Sequence, residues 1–271
     1  MAEIGAEEHM NITVCIKQVP GTSEVEIDEK TGVLKRDGID AKMNPYDLYA
    51  IETAVRIKES QQAQVRVISM GPPQAEAVIR EAYMMGADEG CLLTDRKFAG
   101  ADVLATAYAL SQGIRQMGAF DLIICGKMTT DGDTAQVGPE IAEYLGIPHV
   151  SNVLRIHAIH DTSVILEMNM AESVEIQEVM LPCLITVEKD IFQPRLPSFK
   201  LKLQTRERPV KRISFKDLED QNERHYGLKG SPTQVLKIFP PPVNTTSERW
   251  EGNGEELGSR LAQKLLELKF V

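Results

Sequence analysis

The stretch that decides the fold is Leu122-Ile123-Ile124-Cys125-Gly126-Lys127-Met128-Thr129-Thr130-Asp131-Gly132-Asp133-Thr134-Ala135-Gln136-Val137-Gly138-Pro139. Four apolar residues make a buried strand, and Ile141 and Leu145 beyond the stretch mark an amphipathic helix. Between strand and helix lies a glycine turn with small hydroxyl residues. Such a junction brings backbone N–H groups and hydroxyls to a helix N-terminus, where unpaired donors and the helix dipole stabilise phosphate oxygens. The stretch reads as a seat for a nucleotide-type ligand, with an ordinary structural turn as the alternative. It is not the phosphate loop G-x-x-x-x-G-K-[ST], and the chain carries no G-x-G-x-x-G.

Working toward the N-terminus, the same alternation of strand and helix recurs. Ile12 to Ile16 is β-branched and strand-like, and a hairpin turn is expected at Asp28 to Gly32. Asn44-Pro45 reads as an N-cap followed by proline at the first helical position, opening a helix with Leu48, Ile51 and Val55 on its apolar face. Val65 to Met70 is a second strand, stopped by Gly71-Pro72-Pro73. A helix with Val78, Ile79, Ala82 and Met85 follows and ends at Gly86. Cys91 to Leu93 is a third strand, and residues 101–117 form a helix with Val103, Leu104, Ala107 and Ile114 inward. This order predicts an α/β fold, a doubly wound, mostly parallel sheet covered on both faces. Toward the C-terminus, residues 151–158, 162–169, 174–180 and 183–188 read as antiparallel additions to that sheet.

The expected organisation is an extension over residues 1–9, an α/β domain over 10–190 and an arm over 191–271. Residues 195–212 hold seven basic residues, among them Arg195 and Lys200, against the single acid Glu207. This reads as either a solvated basic segment or a docking surface. Phe239-Pro240-Pro241-Pro242 begins an extended linker, and a last helix over 255–269 carries Leu257, Leu261, Leu265 and Leu268 on one stripe.

Composition narrows the classes further. The net charge of -10 argues against nucleic acid as a partner, and no apolar run approaches the ~18 residues that span a membrane. Four cysteines without a C-x-x-C pair read as buried free thiols, fitting a cytoplasmic protein. The five histidines show no metal-ligand spacing. No nucleophile–base pair or paired-carboxylate motif stands out, so any redox chemistry would belong to a bound cofactor.

Ligands of open parallel sheets sit beyond the carboxyl ends of the strands, near a topological switch. The candidate ligand groups are therefore Cys15 to Lys17, Asn44, Met70-Gly71 and the Gly126–Val137 motif. Asp131 and Asp133 would repel phosphate unless turned away, and Asp133 is expected to cap the following helix.

Several stretches together resemble the small, or β, subunit of electron transfer flavoproteins over nearly all of residues 10–271. They are Cys15 to Pro20, Met43-Asn44-Pro45, Met70 to Ala75, Ala82 to Gly90, Asp131 to Gln136 and Leu181 to Thr186. The resemblance implies a Rossmann-like, adenine-nucleotide-binding fold whose site maps onto Cys15, Asn44 to Asp47, Met70 and Gly126 to Val137. Within the motif this gives Gly126, Lys127, Thr129, Thr130, Asp131, Gly132, Asp133, Thr134, Ala135, Gln136 and Val137 as cofactor-binding residues. It also implies an α subunit as partner, with structural AMP here in the ordinary type and a second FAD, reduced by NADH, in the electron-bifurcating type.

The form of Asp131 to Pro139, Thr94 to Asp102 and Gly227 to Thr233 is more similar to the bifurcating branch. That branch passes electrons to ferredoxin and to an acyl-CoA dehydrogenase or enoyl-CoA reductase. Asp95, and with it Lys17 and Arg96 as groups tuning the flavin, enter the expected site on this basis. Pro194 to Lys200 resembles the family's recognition loop, which makes Arg195, Phe199 and Lys200 the expected partner contacts. Met168 to Glu175 departs from the family's usual Asp-Gly-Gly-like signature. A nucleotide-binding regulatory module without redox function is the reading of another class.

Overall fold

The computed structural model describes residues 9–21, 41–236 and 247–270. The expected extension (but for His9), the hairpin turn at Asp28 to Gly32 and the proline run after Phe239 lie outside the described residues. Contacts divide the chain into two compact units, one of residues 1–26 and 35–236, the other of residues 27–34 and 237–271.

In the first unit the strands are β1 (Met10–Cys15), β2 (Gln18–Pro20), β3 (Ala41–Met43), β4 (Ala63–Met70), β5 (Glu89–Leu93), β6 (Leu122–Gly126), β7 (His149–Ile159), β8 (Ser163–Met170), β9 (Ser173–Met180), β10 (Cys183–Val187) and β11 (Lys211–Ile213). The helices are α1 (Pro45–Ser60), α2 (Glu76–Met85), α3 (Val103–Met117), α4 (Val137–Leu145), α5 (Phe199–Gln204) and α6 (Gly227–Gly230). Nine strands form one sheet in the order β11-β5-β4-β1-β6-β10-β7-β8-β9, while β2 and β3 pair separately. From β1 the chain runs outward through β4 to β5, then returns to place β6 on the other side of β1. That reversal is a topological switch between β1 and β6, the place where sheets of this kind open for a ligand.

Both faces are covered, as the apolar strands require. Ala50, Ile51 and Ala54 of α1 and Val78, Ile79 and Ala82 of α2 pack on one face with Ile12, Val14 and Val67. On the other, Ala107, Leu110 and Ile114 of α3 and Ile141 and Ala142 of α4 pack with Ile68, Ile123 and Leu184. Gly113 and Gly138 let these helices settle closely: a Cβ on Gly138 would stand 2.7 Å from Thr186 Cγ2. Leu104, expected inward, is exposed on α3. Arg66 is buried, and its guanidinium donates to the carbonyls of Met117 and Ala119 at the end of α3. A cation there is stabilised by the negative end of the helix dipole.

Two expectations need correction. The 183–188 and 151–158 segments do not join as antiparallel additions; β10 lies parallel between β6 and β7, with every residue of β10 buried, so β7 too enters the sheet in parallel. A strand covered on both faces reads as an unbroken apolar run, and Cys183-Leu184-Ile185 is such a run. Only β8 and β9 extend the sheet in antiparallel fashion.

Nor do residues 191–236 leave the domain. β11 pairs with β5, and Phe215, Leu218 and Tyr226 join the core. Much of the basic run is spent internally. Arg208 donates to the Ala87 carbonyl, Lys211 to the Gln116 carbonyl, and Arg212 pairs with Glu76.

In the second unit, α7 (Gly254–Glu267) begins with a capping box between Asn253 and Glu256. Lys264 pairs with Glu248 at 2.7 Å, and Arg260 lies over the Trp250 ring. Leu261, Leu266 and Leu268 are exposed. Among the described residues no helix is long and apolar enough to cross a membrane.

Candidate functional site

At the switch point β1 and β6 end side by side, with Cys15 opposite Cys125. Both thiols are buried. The hydrogen bond to Cys15, together with burial, pushes the Cys125 thiol up, so it is an inert thiol rather than a nucleophile. The N-terminus of α1 closes on this end of the sheet. Gly126 permits the approach: a Cβ there would lie 2.6 Å from Asp47 Oδ1 and 2.7 Å from the Tyr46 carbonyl carbon.

Asn44 occupies the N-cap position, but its side chain makes no cap bond. Instead, Nδ2 donates to Asp47 Oδ1 and to the Met128 carbonyl, both at 2.9 Å, and Oδ1 accepts the Thr130 N–H at 3.2 Å. The expected cap is thus a bridge from α1 to the loop after β6. Asp47 itself is buried, and its Oδ2 accepts the Lys17 N–H at 2.7 Å. Burial raises its carboxyl to about 7, against the opposing hydrogen bonds from Asn44 and Lys17. Asp47 therefore supports the site from beneath, with both carboxylate oxygens held by the chain itself.

The loop from Met128 to Gln136 faces solvent from Thr130 onward. Asp133 and Ala135 adopt left-handed backbone, φ 49° and 54°, a conformation costly for residues with a Cβ. The Asp133 N–H donates to the Thr129 carbonyl. The amides of Thr134, Ala135, Gln136 and Val137 have no protein acceptor among the described residues. Gln136, not Asp133, sits at the N-cap of α4, and again no side chain caps it. The expected cap by Asp133 is corrected: it sits in a left-handed turn three residues ahead of the N-cap, and its side chain makes no cap bond. What remains is a strained loop at a helix N-terminus whose amides have no acceptor among the described residues, a donor set suited to an anion.

The charged residues of the motif balance one another. Lys17 Nζ meets both oxygens of Asp131 at 2.8 Å. Burial opposes ionisation of Asp131, but Lys17 and the Thr129 hydroxyl outweigh it and hold the carboxyl below the usual range. Lys127 Nζ pairs at 2.7 Å with Glu188, the residue that follows β10. Glu188 carried no sequence signal, since only the parallel placement of β10 brings it to Lys127. Gly132 has open space around its Cα apart from Thr129 Oγ1.

At the neighbouring strand ends, Met70 is half-buried, and the Gly71 N–H donates to the Leu93 carbonyl. Asp95 is committed within the chain, accepting the Lys97 and Phe215 N–H groups. Arg96 is exposed beyond β5, on the same edge of the sheet. Two surface depressions, lined by His9, Asn11, Lys58 and Asp121 and by Val55, Tyr83 and Leu201, lie away from the loop.

The segment expected to recognise a partner divides in two. Arg195 is tied down, its Nε at 2.7 Å from Glu52 and its Nη1 at 2.6 Å from Glu59. Although burial of Glu52 favours its neutral form, Arg195 and Arg56 hold it below the usual carboxylate range. Phe199, by contrast, is 72% exposed at the start of α5, with Leu196 and Leu203 also exposed and Lys200 beside it.

The sheet order and the strand-end loop define a Rossmann-like α/β protein. A family model described as the electron transfer flavoprotein domain matches residues 31–218. The chain is 47% identical to the electron transfer flavoprotein subunit beta of Thermoanaerobacterium thermosaccharolyticum, over 94% of this chain and 98% of that one. It is 42% identical to the caffeyl-CoA reductase-Etf complex subunit CarD of Acetobacterium woodii, over 97% of this chain and all of that one. To the acryloyl-CoA reductase electron transfer subunit gamma of Anaerotignum propionicum it is 38% identical, with the same coverage. The chain belongs to the electron transfer flavoprotein family, as a β-subunit sequence.

Proposed function

We propose that this chain holds the adenylate end of an FAD beyond β1 and β6 and works with an α subunit in NADH-dependent electron transfer. The observation that carries the reading is the row of unpaired amides from Thr134 to Val137 at the topological switch. The residues fit the group: neutral donors receive phosphate, Lys17 cancels the charge of Asp131, and Gly126 keeps the loop close to α1. In this reading the adenine lies toward the neighbouring strand ends at Cys15 to Lys17 and Met70-Gly71, where the Ile16, Lys17 and Gly71 N–H groups are already held within the chain. FAD, when bound, supplies hydride acceptance and one-electron delivery, chemistry that none of these side chains can perform. The chain's own task is to bind, orient and shield. Arg96, exposed beyond β5, and Lys17 are the cations on this edge that we assign to the flavin's electronics.

In this reading the complex is of the bifurcating type. It works in the cytoplasm and delivers electrons to ferredoxin and to an acyl-CoA dehydrogenase or enoyl-CoA reductase. The acyl-CoA side is supported by relatives named for caffeyl-CoA and acryloyl-CoA reductase complexes. Phe199, with Lys200 beside it, offers that partner an apolar anchor with electrostatic steering. AMP alone would meet the same donors, so the decisive experiment counts ligands. The complex is purified with its α subunit, its ligands are released by heat, and both are quantified. Two FAD per heterodimer support the proposal, whereas one FAD with one AMP reduces it to a carrier with a structural nucleotide. No flavin at all refutes electron transfer.

A further inference from the structure

We infer that Asp47 is a positioning residue that fixes the orientation of the Asn44 side chain and, through it, the turn that precedes the nucleotide loop. The inference rests on the nucleotide reading above. Asp47 is 4% exposed, and both of its oxygens are engaged within the chain. Oδ1 accepts from Asn44 Nδ2 at 2.9 Å and Oδ2 from the Lys17 N–H at 2.7 Å.

An ionised carboxylate only accepts hydrogen bonds, whereas a carboxamide has one accepting and one donating end. Asp47 therefore forces the donating end of Asn44 toward itself. That leaves the second Nδ2 proton for the Met128 carbonyl and directs Oδ1 at the Thr130 N–H. With the amide reversed, Oδ1 would face Asp47 Oδ1 and Nδ2 would face an N–H, and both bonds to the loop would be lost. The same carboxylate, through the Lys17 backbone, holds the residue whose ammonium neutralises Asp131. One buried charge thus sets two supports of the loop, one from α1 and one from the end of β1.

The ionisable groups facing Asp47 are Lys17 and the Cys15 thiol from the end of β1, the Cys125 thiol from β6, and Asp131 from the loop. Its carboxyl lies near 7, raised chiefly by burial. As pH falls through that value, one oxygen becomes a hydroxyl. It then accepts poorly and needs an acceptor of its own, so the grip on the loop weakens toward acid.

The test uses the heterodimer with its α subunit, stripped of nucleotide and titrated with FAD and with AMP at pH 8 and pH 6. Wild type is expected to bind more weakly at pH 6. Asp47→Asn should bind about tenfold more weakly at pH 8, the loss of one hydrogen bond to a charged group, and show no further weakening at pH 6. Asn44→Ala should show a loss no larger than that of Asp47→Asn, and the double variant no greater loss than Asp47→Asn alone, because Asn44 acts through Asp47.

Wild-type affinity in Asp47→Asn, or losses that multiply in the double variant, would overturn the inference. If Asp47→Asn does not fold, Asn44→Ala decides alone: a pH dependence as large as that of the wild type overturns the proposal, and a smaller one, carried by the Lys17 contact only, supports it. Failure of the wild type to bind either nucleotide would refute the nucleotide reading itself.

Discussion

Replacing Gly126 with alanine puts a methyl group where the end of β6 meets the first turn of α1. The new Cβ would lie 2.6 Å from Asp47 Oδ1, 2.7 Å from the Tyr46 carbonyl carbon and 2.8 Å from Tyr46 Cβ. Two of those neighbours are backbone or the atom attached to it, and the third belongs to a buried carboxylate, so none can swing aside. To restore ordinary contact, the start of α1 must retreat by roughly 0.6–0.8 Å, an overpacking that costs about 1–3 kcal/mol. The retreat also lengthens the bond from the Lys17 N–H to Asp47, now 2.7 Å. Stability and nucleotide affinity should therefore fall together. For a unit of this size the cost lowers the melting temperature by about 2–4 °C per kcal/mol.

The assay is thermal melting of the heterodimer, with and without saturating nucleotide, beside Gly258→Ala as a control. Gly258 lies in α7 with open space around it, and alanine there should be neutral or slightly stabilising. A Gly126→Ala protein that melts with the wild type and binds nucleotide equally would refute the packing argument.

Further outcomes follow from the same contacts. Lys17→Met should weaken nucleotide binding by uncovering the Asp131 carboxylate, and Asp131→Asn in the same chain should restore it, both read by titration with AMP. Phe199→Ala should slow electron delivery to an acyl-CoA dehydrogenase without loss of flavin, since the ring is exposed. Arg195→Met should lower stability instead, because it leaves the buried Glu52 with Arg56 alone; stopped-flow kinetics and melting separate the two. Asp47 carries a pH signature of its own. A carboxyl raised on folding binds its proton more tightly in the folded state, so its contribution to stability declines as pH rises from about 4 to about 7. Melting curves of wild type and Asp47→Asn across that window should differ in slope in this sense.

Much of the site was legible because it lies on local patterns. The Leu122–Cys125 run, the glycine after it and the α4 periodicity are each short-range signals, and together they predicted where β6 ends and a helix begins. The parallel core followed from strand and helix alternation. What escaped depended on contacts far apart in sequence. β10 looked like one more strand of a meander until its pairing with β6 and β7 was seen. The basic residues from Arg195 onward read as either solvated charge or a docking surface because nothing nearby in sequence pairs with them; Glu52 and Glu59, which hold Arg195, and Glu76, which holds Arg212, come from α1 and α2. Asn44 and Asp133 were assigned caps because Asn and Asp so often cap helices. In the structure, Asn44 is taken by the loop and Asp133 by a left-handed turn, competition that no local rule resolves.

Hydrogen exchange of the heterodimer reads whether a nucleotide rests on the 126–137 segment. Reloading the stripped complex with FAD should slow exchange in peptides covering residues 126–137, 15–18 and 44–47, and leave the 173–180 edge strand unchanged. Unaltered exchange in 126–137, with protection elsewhere in the chain, would contradict it.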